Sequence, residues 1–309
     1  MPQMPEHLIS IADLEEGQLE SILELALKLE ARPQAHSDAL SGQSIGLYFE
    51  KASTRTRVSF GAGMAQLGGQ PIFLSSRDLQ VGRGETIADT ARVLSRYVDL
   101  LMLRTFEHRT VVEMAEHATV PVINGLTDEL HPCQALADLM TVHQEFGSLR
   151  GRRIAYIGDG NNVAHSLMIA CARAGVDFSI ASPPGYEVAD KYLDLAGELA
   201  AGTGAGIETG TDPRAAAAGA DAVYSDVWTS MGQEQEREQR LADFDGYTVD
   251  DDLMSRARDH AIYLHCLPCH RGEEVTASVV DGPRSRVFDQ AENRMHTQKA
   301  VMLRLLDRA

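Results

Sequence analysis

The sequence predicts an α/β protein of two domains, each a mainly parallel sheet flanked by helices, with the active site in the cleft between them. Three observations lead there. Short apolar runs that read as strands alternate with helix-period segments along both halves, the pattern of a parallel sheet. At 309 residues and 44% hydrophobic content, the chain is long enough for two domains of ordinary size, each with its own core. Chemistry-bearing residues recur where strands give way to helices, the edge at which open α/β sheets take ligands.

In order along the chain, residues 12–31 carry Leu14, Leu19, Ile22, Leu23, Leu25, Ala26 and Leu29 at helical spacing, with a break expected at Gly17. Ser44 to Phe49 reads as a short buried strand. A helix follows, with Val58, Ala62, Met64, Ala65 and Leu67 as its apolar positions, until Gly68-Gly69 stops it. Between strand and helix stands Ser53-Thr54-Arg55-Thr56-Arg57, three hydroxyls and two guanidiniums in five residues. The first N–H groups of a helix lack intrahelical partners and the dipole there is positive, so an oxyanion is favoured, phosphate above all. Ser53, Thr54 and Thr56 add hydroxyl donors, and Arg55 offers a planar fork that matches two phosphate oxygens. A helix cap accounts for one Ser or Thr; it does not account for this density of donors.

Gln70 to Leu74 reads as a second strand, and Ser75 to Glu85 as a polar, Gly-rich loop that is either a lid or a plain surface connection. Glu85 to Tyr97 is helical, and Leu100 to Leu103 is a buried strand with Arg104 at its carboxyl end. A helix around Val111 to Ala118 leads to a strand at Val120 to Ile123, then Asn124-Gly125. His131-Pro132-Cys133-Gln134 opens a helix reaching Phe146, with proline in the first turn where it is tolerated. Gly147 to Arg152 reads as the hinge between domains.

The second half opens with a strand at Arg153 to Ile157, the run Gly158-Asp159-Gly160-Asn161-Asn162-Val163, and a helix to Ala174. A dinucleotide site fits this poorly. Val163 holds the third glycine position, and the next strand, Phe178 to Ala181, ends in Ser182-Pro183-Pro184 where a ribose-binding acid belongs. Tyr186 to Ala220 reads as Ala-rich helices and Gly-rich turns. Ala222 to Ser225 is a strand, and Asp226-Val227-Trp228-Thr229-Ser230-Met231-Gly232 at its carboxyl end reads as a substrate loop. Ala261 to Leu264 is the last strand, followed by His265-Cys266-Leu267-Pro268-Cys269-His270. Haem attachment and zinc ligation both fit that run poorly. The first needs export, and adjacent ligands after a strand do not readily wrap one tetrahedral ion. A C-terminal helix begins at Ala291-Glu292-Asn293-Arg294.

The formal charge of −17 argues against nucleic acid as a partner, because phosphate neutralisation needs a basic face. Anionic ligands must therefore be drawn by local clusters. Four lysines, Lys28, Lys51, Lys191 and Lys299, leave 24 arginines among 28 basic residues, a bias that fits a high-salt cytosol or codon usage alike. Neither a signal segment nor a membrane span is expected, so the expected location is cytoplasmic. Cys133, Cys171, Cys266 and Cys269 are too few and too irregularly spaced for a disulfide scaffold and are expected as thiols.

Four of these motifs, in this order, carry a resemblance to the aspartate/ornithine carbamoyltransferase family. Ser53-Thr54-Arg55-Thr56-Arg57 resembles its carbamoyl-phosphate signature, and His131-Pro132-Cys133-Gln134 its His-Pro-x-Gln signature. Asp226-Val227-Trp228-Thr229-Ser230-Met231-Gly232 resembles the ornithine-binding loop of one branch, and His265-Cys266-Leu267-Pro268 its His-Cys-Leu-Pro signature. Cys269 departs from the small residue expected at its position.

The resemblance implies a carbamoyl-phosphate domain over residues 1–146, completed by the helix 291–309, and an ornithine domain over 147–290. It implies transfer of the carbamoyl group of carbamoyl phosphate to the δ-amine of L-ornithine, giving citrulline and phosphate in arginine metabolism. No cofactor is implied, since a mixed anhydride already carries a good leaving group. Ser53, Thr54, Arg55, Thr56 and Arg104 would hold the phosphate, with Gln80 from a neighbouring subunit and Arg294 beside them. Thr56, Arg104 and His131 would face the carbonyl oxygen, while Gln134 and the Leu267 carbonyl accept from the carbamoyl amine. Asn162, Ser230 and Met231 would take the ornithine carboxylate, and Asp226 its α-ammonium. Cys266 and Asp226 would line the approach of the attacking amine. The family's assembly unit implies a homotrimer or a multiple of trimers.

Overall fold

The computed structural model describes residues 4–76, 84–229 and 234–308. The chain divides into two compact units, Met1–Met140 with Glu292–Ala309, and Thr141–Ala291.

In the first unit, β1 (Ser44–Phe49), β2 (Gln70–Ser75), β3 (Leu100–Arg104) and β4 (Val122–Leu126) form a parallel sheet in the order β2-β1-β3-β4. Its helices are α1 (Gln18–Ala31), α2 (Thr54–Gln66), α3 (Ile87–Leu94), α4 (His108–His117) and the start of α5 (Pro132–Phe146). Each strand returns through a helix, which is what parallel neighbours require. Gly17 interrupts the first helical stretch as expected: at φ 79° it caps α1, in a left-handed conformation cheap only for glycine.

α2 differs from its expected face. Met64 and Leu67 are buried as expected, but Val58 is 59% exposed and Ala65 is exposed, whereas Thr56, Phe60 and Gly63 are buried. The cause is a close approach: a Cβ at Gly63 would stand 3.1 Å from Cγ of Lys299, so the C-terminal helix packs on the glycine side. β4 begins two residues later than the Val120 start and absorbs Asn124-Gly125. A Cβ at Gly125 would meet Met102 Sδ at 2.4 Å, so only glycine lets β4 lie this close to β3.

In the second unit, β5 (Arg153–Ile157), β6 (Asp177–Ala181), β7 (Ile207–Gly210), β8 (Ala222–Ser225) and β9 (Ile262–Leu264) form a parallel sheet in the order β7-β6-β5-β8-β9. Around it lie α6 (Asn162–Ala174), α7 (Asp190–Thr203), α8 (Pro213–Ala217), α9 (Arg237–Asp243), α10 (Asp251–Met254) and α11 (Ala277–Val280). β7 lies within the stretch expected as helices and turns; it is an edge strand with three of its four residues exposed and hence no apolar run. α12 (Val287–Leu305) starts four residues before Ala291. Among the described residues no helix is long and apolar enough to cross a membrane. Two parallel sheets with helices around them are the α/β class the alternation predicts.

Candidate functional site

The first unit gathers cations at the carboxyl ends of β1 and β3. Phe49 ends β1, and five residues later α2 begins with Ser53 as its N-cap, extended at φ −160°, with Oγ accepting from the Thr56 N–H at 3.1 Å. Ser53 is therefore a cap, and because capping uses an oxygen lone pair, its hydroxyl hydrogen is still available to donate. A surface cavity lined by Lys51, Ser53, Thr54 and Arg57 opens here.

Thr56 is fully buried, and its Oγ1 accepts from Arg294 Nη2 at 2.9 Å and from Arg104 Nη1 at 3.3 Å. Arg294 reaches Gln134 as well, its Nη1 donating to Oε1 at 3.1 Å. Gln134 Nε2 in turn donates to Asp138 Oδ1 at 2.8 Å. Residues 48 to 238 positions apart thus meet on one hydroxyl. The Arg104 strand end is tied down by the Glu50 N–H, which donates to its carbonyl at 2.9 Å.

His131 belongs to the same cluster. Burial first, and then the charges of Arg294, Arg104 and Arg55, hold its imidazole well below the ordinary range. It is neutral at pH 7, so one ring nitrogen donates and the other accepts. Cys133, on the following turn, is buried and its thiol is pushed up to about 12, mainly by desolvation; its Sγ donates to the Asn124 carbonyl at 3.4 Å. That makes it a packing residue.

The second unit builds an acidic counterpart at the carboxyl ends of β5, β8 and β9. Asn161 caps α6, its Oδ1 accepting from Val163 N–H at 2.9 Å and Ala164 N–H at 3.2 Å. Its Nδ2 donates to Asp226 Oδ2 at 2.9 Å. Asp226, buried at the end of β8, also accepts from Cys266 Sγ at 2.9 Å and from the Val227 N–H at 2.8 Å, both on Oδ1. Cys266 follows His265, whose Nδ1 accepts from the Leu267 N–H at 2.8 Å while Nε2 pairs with Glu274 at 3.2 Å. With Nδ1 accepting, Nε2 carries the proton. Leu267 sits at φ 57°, a conformation rare outside glycine, and the His265 contact holds it there. Asn162, the first residue of α6, is half-buried beside the Asn161 cap.

Arg240 joins these pieces. Its Nη1 donates to Asp159 Oδ2 at 2.8 Å and to the Trp228 carbonyl at 3.0 Å, and its Nε to Glu236 at 2.9 Å. Desolvation raises the Asp159 carboxyl, and Arg240 pulls it back.

Several expectations change. Trp228 was read as part of a ligand-facing loop, but its side chain is buried in the core and stacks on Phe244 at 5.5 Å. Gly160 serves packing: a Cβ there would meet the Val188 nitrogen at 2.3 Å, so the glycine is filled by neighbouring backbone where a dinucleotide reading would put pyrophosphate. Among the described residues, no three of His265, Cys266, Cys269 and His270 converge as ligands; Asp226, His265 and Cys266 do, within 4.8 Å. Gln80, Ser230 and Met231 lie outside the described residues. Asp138, Asn161, Asp159 and Arg240 were not singled out from sequence. Asn161 had a usable signal as an Asn before a helix, and Asp138 as the i+4 neighbour of Gln134.

Two parallel α/β units, one with a buried arginine cluster at a helix N-terminus and one with a carboxylate–thiol pair, define a two-domain protein built to handle an anion and a polar second ligand. Residues 6–144 match the carbamoyl-P binding domain of aspartate/ornithine carbamoyltransferase, and residues 150–305 match the Asp/Orn binding domain. The chain belongs to the aspartate/ornithine carbamoyltransferase family. It is 55% identical over 302 residues to an ornithine carbamoyltransferase of Bacillus subtilis, covering 97% of this chain and 93% of that one. Its fold is similar to the ornithine carbamoyltransferase structure from Pyrococcus furiosus, with a TM-score of 0.93, 49% identity, and coverage of 97% and 96%. An acetylornithine transcarbamylase complexed with acetylcitrulline is more distant, at a TM-score of 0.86, 31% identity, and coverage of 96% and 98%.

Proposed function

We propose that this protein transfers the carbamoyl group of carbamoyl phosphate to the δ-amine of L-ornithine, giving L-citrulline and phosphate. The observation that carries the phosphate half is the convergence of Arg104 and Arg294 on buried Thr56, with Gln134 held by the same Arg294. The α2 N-terminus with Ser53, Thr54, Arg55 and Thr56 takes the phosphate, and Arg104 neutralises the charge that grows as it leaves. Thr56, Arg104 and neutral His131 face the carbonyl oxygen, which becomes more negative as the tetrahedral intermediate forms. Gln134 Oε1 and the Leu267 carbonyl accept from the carbamoyl amine.

In the second unit Asp226 takes the α-ammonium. Its Oδ2 accepts from Asn161 alone among the contacts given above, which leaves acceptor capacity for a cation. Asn162, Ser230 and Met231 receive the α-carboxylate. The δ-amine has an ordinary pKa of about 10.4 by analogy with lysine and must lose a proton to attack. Desolvation lowers an amine pKa, and Cys266 and Asp226 line the approach. The departing phosphate takes the proton. Positioning and charge stabilisation supply the rate, without a covalent intermediate.

The same reading places the protein in arginine biosynthesis or breakdown in the cytoplasm, as a homotrimer in which Gln80 reaches a neighbouring site. Exposed Phe73, which lines the cavity at Ser53 and Thr54, supports a subunit covering that surface. The functional domains are 1–146 with 291–309, and 147–290. The test is a ureido-product assay with carbamoyl phosphate and, separately, ornithine, N-acetylornithine, putrescine and aspartate. Ornithine-dependent citrulline is the expected result, and product with another amine alone moves the acceptor assignment.

A further inference from the structure

We propose that Asp138 is a positioning residue that makes the site select a carbamoyl over an acetyl group, by fixing which end of the Gln134 carboxamide faces the ligand. The inference rests on the carbamoyl-phosphate reading above and deepens it.

α5 places Gln134 and Asp138 four residues apart on one face. Both are buried, at 1% and 0% exposure, so neither can fall back on solvent. Gln134 is held at both ends: Nε2 donates to Asp138 Oδ1 at 2.8 Å, and Oε1 accepts from Arg294 Nη1 at 3.1 Å. A guanidinium can only donate and a carboxylate can only accept. Turned over, the amide would set its NH₂ against the arginine and its oxygen against the carboxylate, losing both bonds. The neighbours therefore dictate the orientation of an amide whose two ends are otherwise nearly isosteric.

The consequence is chemical. Oε1 keeps a second lone pair, and it lies on the Arg294 that also binds Thr56, the residue at the centre of the anion cluster. An acyl phosphate seated there meets a hydrogen-bond acceptor. The NH₂ of carbamoyl phosphate satisfies it, and the methyl of acetyl phosphate leaves it desolvated and unpaired. Sites built to hydrogen-bond one group reject the isostere that lacks it for this reason. Arg294 alone would favour the same orientation, but a phosphoryl ligand competes for its donors. The Asp138 carboxylate offers a phosphoryl group no donor, so its hold on Nε2 is not competed for.

The experiment uses the full chain and three probes: the KM for carbamoyl phosphate, and the inhibition constants of acetyl phosphate and inorganic phosphate. In Asp138→Leu, Gln134 Nε2 loses its acceptor, and once a phosphoryl ligand draws on Arg294 nothing fixes the amide, so the carbamoyl phosphate KM rises roughly 10- to 100-fold. Acetyl phosphate and inorganic phosphate, which make no use of Oε1, stay within about twofold of the parent. Asp138→Asn can still accept through Oδ1 and restores most of the discrimination. Equal weakening of all three ligands assigns Asp138 a merely structural role and overturns the proposal, as does an unchanged carbamoyl phosphate KM. Asp138→Ala, read the same way, serves if leucine does not fit. A parent protein that carbamoylates none of the amines would instead sink the function proposed above, whatever the variants do.

Discussion

The carboxyl ends of the two sheets differ in sign and in wiring. In the first unit three arginines, Arg55, Arg104 and Arg294, act on one imidazole, and two of them bind one threonine hydroxyl. In the second unit the carboxylates Asp226 and Asp159 dominate, with Cys266 donating to one and Arg240 to the other. A chain with a formal charge of −17 has no global attraction for an acyl phosphate, so an anion site on it must be a local excess of fixed donors. The acidic site needs less, since the chain as a whole already favours a cationic amine. On the function proposed above, the two ligands are recognised by opposite means, pre-ordered donors for one and a few oriented acceptors for the other.

The comparison is broken most severely at Arg294. Arg294→Met removes the donor shared by Thr56 and Gln134, and kcat/KM for carbamoyl phosphate should fall about 10³-fold, the loss expected for a buried oxyanion donor. Steady-state kinetics check this, and a loss under tenfold would place the charge-stabilising work elsewhere. Asp226→Asn tests the other side: roughly a 10²-fold loss in kcat/KM for the acceptor amine is expected, with phosphate inhibition unchanged. Equal loss for both ligands would remove the division of labour.

Arg240→Met should act through stability, because it leaves Asp159 buried without its cation; a deficit of about 3 kcal/mol in urea unfolding is expected. A variant as stable as the parent would show Asp159 protonated or solvated in the native state. The smallest effect is on pH. His131 in the folded protein lies below its unfolded value of about 6.5, so its contribution to stability is complete above that pH. As pH falls below about 6.5 the unfolded chain takes up a proton the folded one refuses, and stability drops by at most about 1.4 kcal/mol per pH unit. Unfolding midpoints from pH 7.5 to 5.5, compared with His131→Gln, should converge toward the acid end. Parallel profiles would mean that His131 takes up its proton over the same pH range in the folded protein as in the unfolded chain.

Legibility followed sequence distance. The Ser53 to Thr56 cluster could be read because cap, hydroxyls and guanidinium are consecutive, and Asp226 and Cys266 because each follows a strand. Spacing alone brings neither Arg294 to Thr56 nor Arg240 to Asp159, across 238 and 81 positions; the resemblance implied the first neighbourhood, and nothing in the sequence pointed to the second. β7 was missed because an exposed edge strand carries no apolar run, and the α2 face was misassigned because a glycine, not an apolar side chain, marks its packing side.

The sequence by itself determined the two parallel α/β sheets, the donor-rich turn from β1 into α2, and the resemblance to a carbamoyltransferase family. Hydrophobic period, caps and consecutive motifs are local properties, and they survive in a string of letters. Tertiary structure alone decided that Trp228 belongs to the core, that Gly160 is closed off by backbone, and that Gln134 is locked between an acid and a base. Each of those depends on what a side chain meets after the chain has returned to it, through packing and hydrogen-bond polarity that one-dimensional spacing does not encode.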